Sequence, residues 1–114
     1  MTITRIDSGP RMSEAVIHGG KVYLSGFVAE SGNTVAEQTA DILAQIDDTL
    51  KRCGSDKTKL LKVNIWLTDI KTISEMNVVW DAWAVAGSTP ARATVEAKLA
   101  LPQWKIEMMV EVAL

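Results

Sequence analysis

Arg92 is the residue whose type and surroundings most clearly suggest chemistry. It belongs to the run Ala91 to Ala97, in which polar and small apolar residues alternate and an alanine stands on each side of the arginine. A guanidinium with such small neighbours presents a planar fork of donors that suits a carboxylate. The functional interpretation is anion recognition. The alternative is an ion pair with Glu96, Glu107 or Glu111 at a surface or an interface.

Glu107 is the second candidate, because it stands between the apolar residues Ile106 and Met108. That setting suits a half-buried general base, and it equally suits a solvated strand residue. The chain has one histidine, His18, and one cysteine, Cys53, which are too few for the clustered ligands of a zinc site. No glycine-rich phosphate loop is present. We therefore expect neither a metal nor a cofactor.

The elements that position these residues begin with a hairpin. Two strand-like runs, Glu14 to His18 and Lys21 to Val28, are joined by Gly19-Gly20. That dipeptide accepts the positive φ angles of a two-residue turn.

Two amphipathic helices follow, each with a capping-box pattern at its start. The boxes pair Thr34 with Glu37 and Thr72 with Glu75. Glycines mark the expected helix ends, at Gly54 and Gly87.

Alternating apolar residues predict strands over Leu60 to Thr68, Ala91 to Ala97 and Trp104 to Leu114, with Thr2 to Ile6 as a further edge strand. The order is ββ-α-β-α-ββ. We predict one domain spanning residues 1–114, an α+β two-layer sandwich with two helices on one face of a mixed sheet.

The other face of that sheet has no cover in a single chain. Its candidate apolar residues are Tyr23, Phe27, Trp66 and Met109. A small domain with such a face usually forms oligomers.

Charge and composition exclude several classes of protein. The 114 residues carry 12 basic and 14 acidic side chains, a formal net charge of −2, which disfavours broad nucleic-acid binding. A loose basic cluster of Arg52, Lys57, Lys59 and Lys62 is interleaved with aspartates and is interpreted as a solvated face. No run is apolar enough to span a membrane. With a single cysteine and no secretory signal, we expect a cytoplasmic protein.

Several segments together resemble one family. Pro90 to Glu96, then Leu101-Pro102 and Lys105 to Met108, look like the C-terminal signature of the RidA/YjgF family of enamine/imine deaminases. Val22 to Gly26 resembles that family's strand ending in Ser-Gly. Gln45 to Gly54 and Leu61 to Leu67 resemble its first helix and the strand that follows.

This resemblance implies a chorismate-mutase-like fold that assembles as a homotrimer with clefts between subunits. It implies hydrolysis of reactive enamines and imines, such as 2-aminoacrylate, to 2-keto acids and ammonia. Carried over to this chain, Arg92 would bind the substrate carboxylate, Glu107 would position or activate water, and Ser25 would line the cleft. A preformed electrophilic carbon needs no metal or cofactor for this reaction.

The chain departs from the family pattern at Met12, where a tyrosine is more typical, at Thr94, where a cysteine is frequent, and at Phe27, where many members have glutamine. Met12 and Thr94 are therefore expected to change the pocket that contacts the rest of the substrate. The alternative function is a non-catalytic trimer that binds or senses small keto acids through Arg92. A third class, a protein or RNA interaction module, depends on the lysine cluster.

Overall fold

A single mixed sheet of seven strands organises the chain in a computed structural model that describes residues 2–114. The strands are β1 (Thr4–Ile6), β2 (Ala15–His18), β3 (Lys21–Leu24), β4 (Phe27–Val28), β5 (Leu60–Leu67), β6 (Ala91–Glu96) and β7 (Ile106–Ala113). The order across the sheet is β1-β2-β3-β7-β5-β6, with β4 also paired to β7. Only β5 and β6 run parallel. The predicted α+β sandwich is confirmed, and Thr2 to Ile6 contains the expected edge strand.

The β2–β3 hairpin turns at the two glycines. His18 pairs with Lys21, and Gly19 and Gly20 have φ angles of 61° and 78°. Two consecutive positive φ angles define the tight turn whose twist matches that of the flanking strands, so the predicted hairpin is confirmed.

Helix α1 (Val35–Arg52) begins at the predicted capping box. The Thr34 hydroxyl accepts the Glu37 amide, while the Glu37 carboxylate accepts the Thr34 amide, both at 3.1 Å. At the other end Gly54 takes the left-handed conformation, with φ 82°. Both ends therefore satisfy backbone groups that a bare helix would leave unpaired.

Helix α2 (Ile73–Trp83) connects the parallel strands β5 and β6, and here the predicted capping box is wrong. A short 3₁₀ turn leads directly into the helix. Asp69 caps that turn by accepting the Lys71 amide, and the Thr72 hydroxyl donates to the Asp69 carbonyl at 2.6 Å. The Thr72 hydroxyl is directed at that carbonyl and makes no capping hydrogen bond to α2. The helix also ends at Trp83, before the expected Gly87.

The two faces of the sheet differ in cover. Both helices pack on one face over a continuous core. Phe27 belongs to that core and is 4% exposed, so its placement on the uncovered face was wrong. The uncovered face does present Tyr23, Met109 and Val95, which are 38%, 43% and 51% exposed. An apolar surface of this kind is typical of an interaction face.

Neither helix within residues 2–114 is long and apolar enough to cross a membrane.

Candidate functional site

Arg92 lies on β6, an edge strand of the sheet, and its side chain points to the helix-covered side. Its strand partner Val63 is fully buried beneath the helices, and its guanidinium carbon lies 5.5 Å from the ring centre of Trp80 on α2. Stacking on an aromatic face leaves the in-plane N–H donors of a guanidinium free. Within residues 2–114 Arg92 makes no ion pair, so a surface pair with Glu96, Glu107 or Glu111 of the same chain is not formed, while the interface pair stays an alternative.

A shallow cavity of about 160 Å³ adjoins Arg92 where β5 and β6 run side by side. Its lining residues are Lys62, Val63, Asn64, Ala91, Arg92 and Ala93. The two alanines flanking Arg92 keep this part of the edge open. Lys62, Asn64, Ala91 and Ala93 face the uncovered side, so this cavity lies on the opposite side of β6 from the guanidinium. The guanidinium is itself exposed on the covered side, where it can bind a small carboxylate.

Thr94 lies two residues beyond Arg92 and on the same side of β6. Its hydroxyl oxygen is buried and has no hydrogen-bond partner among the described residues. Arg92 and Thr94 thus form one cluster, which we call the edge group.

Glu107 lies on the uncovered side of the sheet. It pairs with Trp66 of β5 and Val28 of β4, and its neighbours Ile106 and Met108 are buried beneath the helices. Burial raises the pKa of the Glu107 carboxyl above its ordinary value of 4.5. No hydrogen bond or ion pair from residues 2–114 offsets this burial. A half-buried carboxyl with a raised pKa is suited to general acid–base work.

A β-bulge brings the Ser-Gly segment against Glu107. From Tyr23 to Phe27 the chain advances four residues, while the paired segment of β7 from Glu111 to Met108 spans three. The extra residue falls at Ser25-Gly26, between β3 and β4. Bulges of this kind frequently adjust side-chain directions near active sites.

Glycine is required at position 26 because the Glu107 carboxylate lies close to its Cα atom. A Cβ atom placed on Gly26 would overlap a carboxylate oxygen of Glu107. Ser25, Gly26 and Glu107 thus form a second cluster, which we call the bulge group.

Met12 is exposed in the loop before β2, on the side of the sheet away from β6. That loop ends beside the bulge, because the Ser25 amide donates to the Glu14 carbonyl at 2.9 Å. Met12 therefore lies in the loop that leads to the bulge group, and not beside β6 and Arg92.

The edge group and the bulge group are not brought together within one chain. They lie on opposite faces of the sheet, and β5 separates β6 from β7. The edge group is suited to binding an anion and the bulge group to acid–base chemistry, and the two groups face opposite sides of the sheet.

Three other residues lie outside both groups. Cys53 is buried, and burial raises the pKa of its thiol, as befits a core residue. His18 is exposed, and Trp80 is 5% exposed in the core.

The basic cluster is partly engaged in the fold. The Lys57 ammonium donates to the Trp83 carbonyl at 2.7 Å, and Arg52 pairs with Asp7 at 2.8 Å. Lys59 and Lys62 remain exposed. Two of the four cations are thus committed within the chain.

Two features of the site escape sequence reasoning. The contact of Gly26 with Glu107 depends on the register of three strands and has no local signature. Asn77 on α2 has a buried side-chain oxygen without a partner among residues 2–114, and its position within the apolar stripe that includes Met76 and Trp80 is a signal that could have revealed it.

Comparisons with known proteins extend over nearly the whole chain. A family model described as "Endoribonuclease L-PSP" matches residues 2–114. The RutC family protein YoaB of Escherichia coli (strain K12) is 43% identical over 113 residues, which cover 99% of each chain. A RutC family protein of Haemophilus influenzae is 43% identical over 112 residues, covering 96% of this chain and 97% of that protein. The crystal structure of a YjgF-family protein from Neisseria meningitidis superposes with a TM-score of 0.97 at 53% identity, covering 99% of this chain and 95% of the other.

Proposed function

The chain belongs to the YjgF/RidA family, and on that premise we propose that it hydrolyses reactive 2-imino and 2-enamino acids, of the 2-aminoacrylate kind, to 2-keto acids and ammonia. The observation that carries this proposal is that the chain presents two ionisable groups, one basic and one acidic, that no group of the described chain neutralises. Arg92 is a guanidinium without an ion-pair partner in the described chain, and Glu107 is a half-buried carboxyl whose pKa is raised.

The reaction needs few groups. The imine carbon is already electrophilic, so water adds to it while a carboxylate removes one water proton and passes it to the nitrogen, which gives a carbinolamine. The carboxylate then takes the hydroxyl proton and returns it to the nitrogen. The C–N bond breaks, the nitrogen leaves as ammonia, and the carbon becomes a ketone. Glu107 with a raised pKa is suited to both proton transfers, and such help is typically worth ~100- to 10,000-fold. Arg92 holds the substrate carboxylate and thereby fixes the reacting carbon.

Both groups reach one substrate when two chains contribute to a cleft. In this proposal the edge group of one protomer faces the bulge group of its neighbour, in a homotrimer whose subunits contact each other through the uncovered sheet faces. The exposed apolar residues Tyr23, Val95 and Met109 support this contact. Heterologous contacts between identical subunits can close into a ring.

The test is ammonia release from an imine made in place. An amino-acid dehydratase generates 2-aminoacrylate, and purified chain is added in catalytic amount. We expect ammonia to appear faster than by spontaneous hydrolysis. Lys59→Ala, which removes an exposed positive charge that belongs to neither group, should be as fast as the parent. An unchanged rate with the parent chain on every imine offered would contradict the proposal.

A second function, non-catalytic binding of small keto acids, is favoured only by Arg92 itself. It needs the guanidinium and makes no use of Glu107. Calorimetric binding of 2-ketobutyrate together with no turnover of any imine would select it.

The family description also names ribonuclease activity. Two of the four cations in the basic cluster are engaged within the chain, and the net charge is −2, so RNA binding that persists at physiological salt would be needed to support that function.

A further inference from the structure

Two glutamines of α1, Gln38 and Gln45, reach the segments that lie on either side of Glu107. They are seven positions apart, which is close to two helical turns, so they share one face of the helix. Gln38 is 3% exposed, and Gln45 is half-buried. A buried amide is costly to leave unpaired, so the groups that these two side chains bind show what each of them holds in place.

Gln38 joins the segment after β4 to the segment before β7. Its Nε2 donates to the Gly32 carbonyl at 3.1 Å and to the Gln103 carbonyl at 3.0 Å, while its Oε1 accepts the Lys105 amide at 2.9 Å. Both donors and the acceptor of the side-chain amide are thus used. Glu107 follows Lys105 by two positions, so one buried side chain fixes the point at which β7 enters the sheet.

Gln45 holds the other strand beside Glu107. β4 pairs with β7 through two residues, one of which, Val28, lies opposite Glu107. The Gln45 Nε2 donates to the Val28 carbonyl at 3.0 Å and to the Asp41 carboxylate at 2.7 Å. That carboxylate also accepts the Glu30 amide at 2.9 Å. Helix α1 therefore supports a strand whose own ladder is very short.

The position of the Glu107 carboxylate depends on both of these segments. β4 continues directly from the bulge at Gly26, and the carboxylate lies against that glycine. The residues paired with Glu107 on β4 and β5 are Val28 and Trp66, which do not titrate. A shift of either segment therefore moves the carboxylate and opens it to water.

The pKa of Glu107 reports on this cover. The charged residues nearest to it along β7 and β5 are Lys105, two positions before it, and Glu111 and Lys62, which are paired with each other four positions further along. None of them contributes to the raised pKa of Glu107, whose cause is burial. Loss of cover should consequently lower that pKa toward its ordinary value.

We propose that Gln38 and Gln45 are positioning residues for Glu107, because they hold the two segments beside it and so fix its carboxylate at the bulge. This inference rests on the proposed function, since it assigns both glutamines to the placement of the acid–base group. Each acts through the backbone and makes no contact with the substrate. A reacting group that is displaced by about 1 Å loses about 100-fold in rate, so placement of this kind is a large effect.

The test compares Gln38→Met and Gln45→Met with the parent in the full-length chain. Methionine is similar in length to glutamine and lacks its amide, so it removes the hydrogen bonds with little change in shape. Gln45→Met is the milder change, because Gln45 is only half-buried, and it covers failure of Gln38→Met to fold. Three properties are measured: kcat and KM on an imine generated in place, the Tm, and the pKa of Glu107 from ¹³C NMR of its carboxyl carbon.

Ser55→Ala is the matched control, because it removes a hydrogen bond at the other end of β7. Ser55 is 8% exposed, and its hydroxyl donates to the Ala113 carbonyl. Ala113 lies six positions beyond Glu107, about 20 Å along the strand. This variant should lower the Tm, while its kcat and the pKa of Glu107 stay at the parent values.

We expect the kcat of Gln38→Met to fall by roughly 10- to 100-fold and that of Gln45→Met to fall less. KM should change by less than about 3-fold, because Arg92, which holds the substrate carboxylate in the proposed reaction, is unaltered. The pKa of Glu107 should move down toward 4.5, because the loosened segments admit water to the carboxyl. The Tm should fall in both variants, since buried groups lose their partners.

If kcat falls no further in the methionine variants than in Ser55→Ala, the inference is overturned, because the glutamines then stabilise the fold and nothing more. An unshifted pKa of Glu107, or a loss confined to KM, would overturn it as well. A parent without turnover would instead overturn the proposed function. The pKa of Glu107 would then decide the positioning role by itself, with a downward shift supporting it and an unchanged value contradicting it.

Discussion

Replacing Arg92 with alanine should separate the stability of the chain from its activity. The side chain is exposed, makes no ion pair within residues 2–114, and has one notable contact, the stack on Trp80. Such an exposed cation–π contact contributes about 0.5–1 kcal/mol. For a domain of this size that corresponds to a fall in Tm of roughly 2–4 °C.

The expected effect on catalysis is much larger. A guanidinium that holds a carboxylate through two parallel bonds makes two charged hydrogen bonds, each worth about 1.5–3 kcal/mol. Their combined loss of about 3–6 kcal/mol lowers kcat/KM by roughly 100- to 10,000-fold, at about 1.4 kcal/mol for each factor of ten. Arg92→Lys keeps the charge without the planar fork and should fall between the parent and Arg92→Ala.

The assay measures ammonia release from imines made in place, alongside thermal unfolding of the same samples. Lys59→Ala is the matched control for loss of one exposed positive charge and should retain full activity. The reasoning is refuted if Arg92→Ala turns over imines as fast as the parent, or if its lost activity is matched by unfolding.

Three other contacts give predictions of their own. Glu107→Gln removes a carboxyl whose folded pKa is raised by burial. Ionising that carboxyl destabilises the fold as pH rises above its unfolded pKa near 4.5, so at pH 7 the variant should be at least as stable as the parent. In urea titrations the difference should vanish near pH 4, and the activity of the variant should fall. Gly26→Ala should displace the Glu107 carboxylate and reduce kcat strongly with a modest change in Tm, whereas alanine at the exposed turn residue Gly54 should affect stability alone. Thr34→Ala removes the α1 capping box and should lower the free energy of unfolding by about 1 kcal/mol with activity intact, as measured by urea unfolding.

Local sequence signals account for much of the fold. The Thr34 capping box and the Gly19-Gly20 turn depend on residues within four positions of one another, so their chemistry can be identified without tertiary structure. The Thr72 box fails for a related reason. The Asp69 carboxylate caps the preceding turn, and the Thr72 hydroxyl donates backwards to the Asp69 backbone carbonyl instead of accepting an amide of α2.

The relative placement of Arg92 and Glu107 required the tertiary structure. Alternation along a strand shows that each side chain points to the opposite face from its sequence neighbours. It does not show which face of the sheet the side chains of another strand share. In β6 the smaller residues Ala91, Ala93 and Val95 face the uncovered side, while Arg92 faces the helices. An edge strand can direct its polar side chains to the helix side, because it lies at the margin of the helical cover and those side chains remain accessible to solvent.

The most direct test of a cleft shared by two chains is complementation between two inactive variants. Arg92→Ala and Glu107→Gln are co-expressed with different tags, and mixed oligomers are purified through both tags. If each cleft takes its guanidinium from one chain and its carboxylate from the neighbour, every mixed trimer has both groups in one of its three clefts, and activity returns to roughly a third of the parent value. Mixed oligomers as inactive as either variant alone would contradict the shared cleft, because each chain would then have to supply both groups itself.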